Sequence, residues 1–150
     1  MLIYTDGGCS GNPGPGGWAY VIIKDEGSGP CILAEKWGAE KSTTNNRMEL
    51  QAVIAALESL SGEGIGAEKI VLYIDSQYVQ KGITIWIKDW KKRGWKTAGK
   101  DPVKNRDLWQ RLDDLSIKFP LTWHWVKGHA GNIYNERCDK LTAAAIKSIQ

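Results

Sequence analysis

The chain has 150 residues, 42% hydrophobic and 25% charged, with a formal net charge of +3. That length suits one domain over residues 1–150 around one core, and the composition is ordinary for a globular protein. No apolar run is long enough to cross a bilayer, and Met1 to Asp6 holds no basic segment leading into an apolar stretch; with three cysteines lacking CxxC spacing, these features point away from a membrane span, a secretory leader, a disulfide framework and a zinc ribbon, so reduced thiols in the cytoplasm are expected, and a monomer is assumed.

Leu2 to Thr5 is a short apolar run that reads as a strand ending in Asp6. Residues 7–17 (GGCSGNPGPGG) read as a turn-rich loop. Trp18 to Lys24 and Cys31 to Trp37 are β-branched and aromatic runs separated by DEGSGP, the pattern of two antiparallel strands. From about residue 46, Leu50, Val53, Ile54, Leu57 and Leu60 recur at helical spacing. Asn46 is placed to cap this helix with Glu49 three residues on, and SGEGIG ends it. Ile70 to Ile74 is a continuous apolar run ending in Asp75, as expected of a central parallel strand. Residues 76–93 read as helical, 94–105 as a connector, 106–116 as a helix, Leu121 to Val126 as a half-exposed strand, and a final helix begins near Asn135. The order βββαβααβα predicts an α/β fold with a five-stranded mixed sheet flanked by helices.

If the strands at Leu2 and Ile70 are parallel neighbours, Asp6 and Asp75 emerge side by side at their carboxyl ends, where open α/β sheets bind ligands. Two carboxylates so placed repel unless a cation or a shared proton compensates. Glu49 and Asp139 can add oxygens to the same cluster, and such hard ligands favour Mg²⁺, with Mn²⁺ as a substitute. Two ions about 3.5–4 Å apart would cut a phosphodiester, one generating hydroxide and the other stabilising the leaving oxygen. His129, on the Gly-flanked loop of GHAGNIYNERCD, has the pKa range for proton transfer. Each residue also has a plainer reading. Asp6 and Asp75 can be turn residues, Glu49 half of a capping box, Asp139 a solvated helix residue and His129 a loop residue. His124 reads as structural. A zinc site from His124, His129 and Cys138 matches no standard spacing. Gly14, Gly16 and Ala19 fit a dinucleotide fingerprint only superficially, because a strand follows where a helix is required.

Residues 81–111 hold ten of the twenty Lys and Arg residues, only three Asp, and four of the eight tryptophans. That concentration suggests a polyanionic partner. Lys91, Lys92 and Arg93 read as an exposed protrusion, and Trp86 and Trp90 as stacking surfaces, although Trp109 and one of those two are expected to pack inward.

Together, TDGGCSGNPGPGG, TTNNRMEL, DSQYV, WKKRGWKTA with VKNRDLW, and WVKGHAGNIYNERCD resemble the type 1 ribonuclease H family, in family order across nearly the whole chain. The resemblance implies a ribonuclease H-like fold and cutting of the RNA strand of RNA/DNA hybrids to 5′-phosphate and 3′-hydroxyl ends. Asp6, Glu49, Asp75 and Asp139 would then be the metal-binding set and His129 a mobile loop histidine. By the same resemblance Cys9, Asn12, Asn45 and Gln77 line the minor groove and read 2′-hydroxyls. Thr44 and Asn105 match a pocket for a DNA-strand phosphate, and residues 81–111 match a basic handle that binds the hybrid. Ser42 stands where relatives often carry Arg, and Asn132 where they often carry a second loop His. Two rivals are a resolvase-like or integrase-like DNA nuclease and a catalytically silent hybrid-binding module. The first does not explain TTNNRMEL and the handle; the second has no need of four carboxylates.

Overall fold

A computed structural model describes residues 1–25, 27, 29–61, 68–126 and 132–150. Its five strands are β1 (Leu2–Cys9), β2 (Gly14–Asp25), β3 (Pro30–Thr43), β4 (Ile70–Ile74) and β5 (Leu121–Trp125). They form one mixed sheet in the order β3-β2-β1-β4-β5. β1, β2 and β3 pair antiparallel, while β1 pairs β4 and β4 pairs β5 in parallel. The continuous apolar run at Ile70 therefore marks a central parallel strand, as expected. Ile70, Leu72 and Ile74 are fully enclosed, and Val71 and Tyr73 half so.

Helix α1 (Asn45–Ser61) covers one face of the sheet at β1 and β2, and helix α4 (Arg106–Lys118) packs against α1. The five residues at helical spacing, Leu50 to Leu60, are all buried there beside Leu108, Trp109 and Leu112. Helix α5 (Ile133–Ser148) lies against β1, β2 and β3. Its first turn is capped by Asn132, whose Oδ1 accepts from the backbone N–H groups of Tyr134 and Asn135 at 2.9 and 3.1 Å. The helix therefore starts two residues ahead of the position the sequence suggests.

Three other expectations are corrected. The segment 7–17 is strand rather than loop except at residues 10–13: Gly7, Gly8 and Cys9 pair with Trp18, Gly17 and Gly16. Strand β3 runs on to Thr43, its polar residues pairing with β2 at the sheet edge. The helical segment after Asp75 is not uniform. It comprises α2 (Gln77–Lys81), a π-helical turn (Gly82–Trp86) and α3 (Ile87–Lys92). A Cβ at Gly82 would stand within the Trp109 indole, so this turn needs glycine to let the ring lie on its backbone. Beyond α3, Gly94 and Trp95 both adopt positive φ, 66° and 65°, and reverse the chain. Trp95 N–H then donates to Trp90 O and Val103 N–H to Trp95 O, folding the connector back on itself. Among the described residues, no helix is long and apolar enough to cross a membrane.

Candidate active site

The β1–β4 register pairs Leu2 with Val71, Ile3 with Leu72 and Tyr4 with Tyr73. Continued two residues, it sets Asp6 level with Asp75, as the sequence suggests for parallel neighbours. Asp6 is not a turn residue, however. It sits inside β1, paired with Ala19, and is only 5% exposed. Asp75 directly follows β4, and Ser76 caps α2 by accepting from Val79 N–H.

Glu49 is brought to this pair from the other direction. Helix α1 is capped two residues earlier than expected, by Thr44, whose Oγ1 accepts from Arg47 N–H at 3.3 Å. Glu49 thus serves no capping box on Asn46. Its Oε1 instead accepts from Gly7 N–H at 3.3 Å. That contact depends on Gly7, because a Cβ there would stand 2.5 Å from the Glu49 nitrogen. One oxygen each of Asp6, Glu49 and Asp75 lies within 4.8 Å of the others.

Three carboxylates at this range are unfavourable without a counter-ion. Glu49 carries the clearest mark of it. Burial first, and then the charges of Asp6 and Asp75, push its carboxyl well above the usual carboxylate range; the Gly7 N–H opposes this only in part. Its Oε2 is enclosed and has no hydrogen-bond partner among the described residues. An unpartnered buried acceptor in an all-oxygen donor set fits a hard divalent cation, with Asp6, Glu49 and Asp75 as the residues that could hold it.

A pH dependence follows. The folded chain holds the Glu49 proton more tightly than the unfolded chain. The contribution of Glu49 to metal-free stability is therefore fully present below the ordinary carboxylate pKa and is lost as pH rises through the elevated folded value. Glu49→Gln is expected to stabilise the metal-free protein at pH 8 by about 1–3 kcal/mol, the usual cost of an unsatisfied buried group. The gain should vanish by pH 4. Urea unfolding in chelator at both pH values checks this; equal stabilisation at both would mean that Glu49 titrates normally.

Asp139 is not brought into this trio. On α5 it is Cys138 that turns to the sheet, fully buried, its Sγ donating to Tyr4 O at 3.3 Å, and burial pushes that thiol pKa up. Asp139, one residue on, is exposed. His129 lies outside the described residues. His124 is exposed, its ring centroid 4.9 Å from that of Tyr73.

The residues matched to substrate binding gather in part. The Cys9 thiol lies 3.2 Å from both Gly14 O and Thr43 O. Asn12 Oδ1 accepts from Asn45 N–H at 3.2 Å, tying the 10–13 turn to the start of α1. Thr44 and Asn105 meet through one residue the sequence reading passed over, Arg47, whose N–H reaches Thr44 and whose Nη1 donates to Asn105 Oδ1 at 3.3 Å. Its guanidinium also pairs with Asp107 at 3.1 and 2.8 Å and holds that carboxyl below its usual range. Nothing local in TTNNRMEL marks Arg47 as a bridge; α4 supplies its partners. Gln77 opens α2 and is exposed. Lys91, Lys92 and Arg93 are exposed at the end of α3, as expected, although Lys91 Nζ pairs with Asp113 at 3.2 Å. Trp109 is fully buried, and Trp90 is the second ring packed inward, edge-on to Trp109 with centroids 5.4 Å apart. Trp86 packs against Tyr78 and Trp90 and stays half-buried.

Residues 1–147 match the RNase H family. A ribonuclease H of Treponema denticola is 54% identical, the alignment covering 98% of this chain and 97% of that protein. LC9-RNase H1, a type 1 RNase H with the type 2 active-site motif, superposes with a TM-score of 0.86 at 33% identity, over 99% of this chain and 72% of that one. LC11-RNase H1, solved in complex with RNA/DNA hybrid, gives a TM-score of 0.74 at 26% identity, over 98% and 96% of the two chains. The strand order and the acidic trio agree with the match along the sequence, and the chain belongs to the ribonuclease H family.

Proposed function

We propose that this protein hydrolyses the RNA strand of RNA/DNA hybrids, leaving 5′-phosphate and 3′-hydroxyl ends. The observation that carries the reading is the trio of Asp6, Glu49 and Asp75, with the enclosed Oε2 of Glu49 that has no partner among the described residues. LC11-RNase H1, which is similar over nearly its whole length, binds an RNA/DNA hybrid and supports the choice of substrate.

Asp6, Glu49 and Asp75 would hold Mg²⁺ in this reading, with Asp139 joining from α5 by a side-chain movement that its exposure permits. Two such cations, when bound, supply positive charge at the scissile phosphate and a more acidic water. The chain's own work is to hold the phosphate in line. Water's oxygen ends on the 5′-phosphate, the bond from phosphorus to the 3′ oxygen breaks, and that oxygen takes up a proton. His129 is assigned to this proton or to product release. Cys9, Asn12, Asn45 and Gln77 would line the minor groove, where a 2′-hydroxyl distinguishes RNA from DNA. Residues 81–111 act as the basic handle, with Trp86 as its aromatic surface.

The test is an end-labelled hybrid run beside single-stranded RNA, double-stranded RNA and duplex DNA, each with Mg²⁺ and with chelator. Cutting of RNA only within the hybrid, and only with metal, is expected. Cutting of duplex DNA would move the assignment to a resolvase-like nuclease.

The handle has its own expected result. Neutralising Lys91, Lys92 and Arg93 to Gln should weaken hybrid binding roughly 10-fold and lower its log–log salt slope by about two. The drop should fall short of three because Asp113 already engages Lys91. An unchanged slope in a fluorescence-anisotropy salt titration would mean that these cations are only solvated.

A further inference from the structure

Asn105 precedes α4 in a left-handed conformation, φ 59°, and its side chain makes no capping bond to that helix. The amide is engaged sideways instead. One end lies 3.3 Å from Arg47 Nη1 and the other 3.1 Å from the Tyr78 hydroxyl. A guanidinium can only donate, so the end at Arg47 is Oδ1 and the end at Tyr78 is Nδ2. Trp109 Nε1, also donor-only, reaches the same phenolic oxygen at 2.9 Å. The Tyr78 oxygen thus accepts two bonds. Its own hydrogen and the second hydrogen of the Asn105 amide have no acceptor among the described residues.

Arg47 does not leave a free positive charge at this place, since Asp107 takes its guanidinium in two bonds. With Ser42 rather than Arg nearby in the sequence, recognition of an anion here depends on directed donors more than on net charge. Such donors discriminate only if their orientation is held. The holding group is the phenol, itself wedged between Trp86 and Trp109 with centroids 5.8 and 5.5 Å away.

We propose that Tyr78 is a positioning residue for a substrate phosphate: with Arg47 it locks the Asn105 amide so that its NH₂ end is presented as a donor. The inference rests on the hybrid-cutting reading and on Asn105 as a phosphate contact.

The experiment uses hybrids in which one methylphosphonate is walked along the DNA strand, each position removing one phosphate charge. The parent should lose kcat/KM at one position. Tyr78→Phe should lower kcat/KM on the unmodified hybrid about 3–10-fold, through KM, and shrink the penalty at that position by the same factor. Asn105→Ala should erase the positional penalty, and Tyr78→Phe should then add nothing to it. This second background matters because Tyr78→Phe also strips a partner from the buried Trp109 N–H. A general stability loss through Trp109 would persist in the Asn105→Ala background; a positional effect would not. A full penalty retained by Tyr78→Phe, or no penalised position in the parent, overturns the positioning role while the unmodified hybrid is still cut. A parent that cuts no hybrid overturns the functional reading and this inference together.

Discussion

Asp6→Asn is expected to lower Mg²⁺-dependent cleavage of the hybrid by roughly 10³-fold or more, as removing a preorganised charge from a reacting centre commonly does. The side chain stays isosteric inside β1, where Asp6 is paired across to Ala19 and nearly enclosed, so the sheet has no reason to change. Hybrid binding in chelator should hold or tighten, because one negative charge leaves the place where a phosphate must approach. Metal should also cease to stabilise the fold. A cation bound only by the native state raises stability by RT ln(1 + [L]/Kd), and the trio minus one carboxylate forfeits most of that rise. Cleavage, anisotropy and a Mg²⁺ titration of Tm thus give three readouts. Loss of cleavage together with an unchanged Mg²⁺ effect on Tm would place the cation elsewhere. Retained cleavage would remove Asp6 from the reaction.

The sequence made part of this site legible. The unbroken apolar run at Ile70 says that its strand is buried and parallel, and parallel pairing with the first strand is enough to align Asp6 with Asp75. It could not say that β1 continues past Asp6. Gly7 and Gly8 have poor strand propensity, and only their ladder to Trp18 and Gly17 keeps them extended. Glu49 was ambiguous for another reason. A carboxylate in a helix's first turn has the same local pattern whether it caps or reaches outward, and the deciding contact, Gly7, is 42 residues away. The polar end of β3 shows no alternation because this edge strand is exposed along most of its length, with only Thr43 buried at its end. The π-helical turn at Gly82 answers to Trp109, whose packing no local window contains.

The same logic makes the glycine pair after Asp6 a sharp test of how the trio is assembled. A Cβ at Gly7 would stand 2.6 Å from Met48 O and 2.5 Å from Glu49 N. Those are backbone atoms at the start of α1 and cannot rotate aside. A Cβ at Gly8 meets only the side-chain ends of Thr142 and Ile146, at 3.9 and 4.0 Å, which is ordinary contact. Gly7→Ala must therefore push α1 away from β1 by about 1 Å to restore normal separations. Overpacking of this kind costs about 1–3 kcal/mol. The catalytic loss should be larger, because a 1 Å misplacement of a reacting group costs on the order of 10²-fold, and the displaced segment carries Glu49. Gly8→Ala, one residue along the same strand, should change Tm and rate little. Stability alone does not separate the two effects, so both variants are assayed well below their melting temperatures across Mg²⁺ concentrations. A rate deficit in Gly7→Ala that excess Mg²⁺ partly restores is the signature of a displaced ligand. If Gly7→Ala matches Gly8→Ala in both rate and Tm, the close approach of α1 to β1 is not what carries Glu49 to the two aspartates.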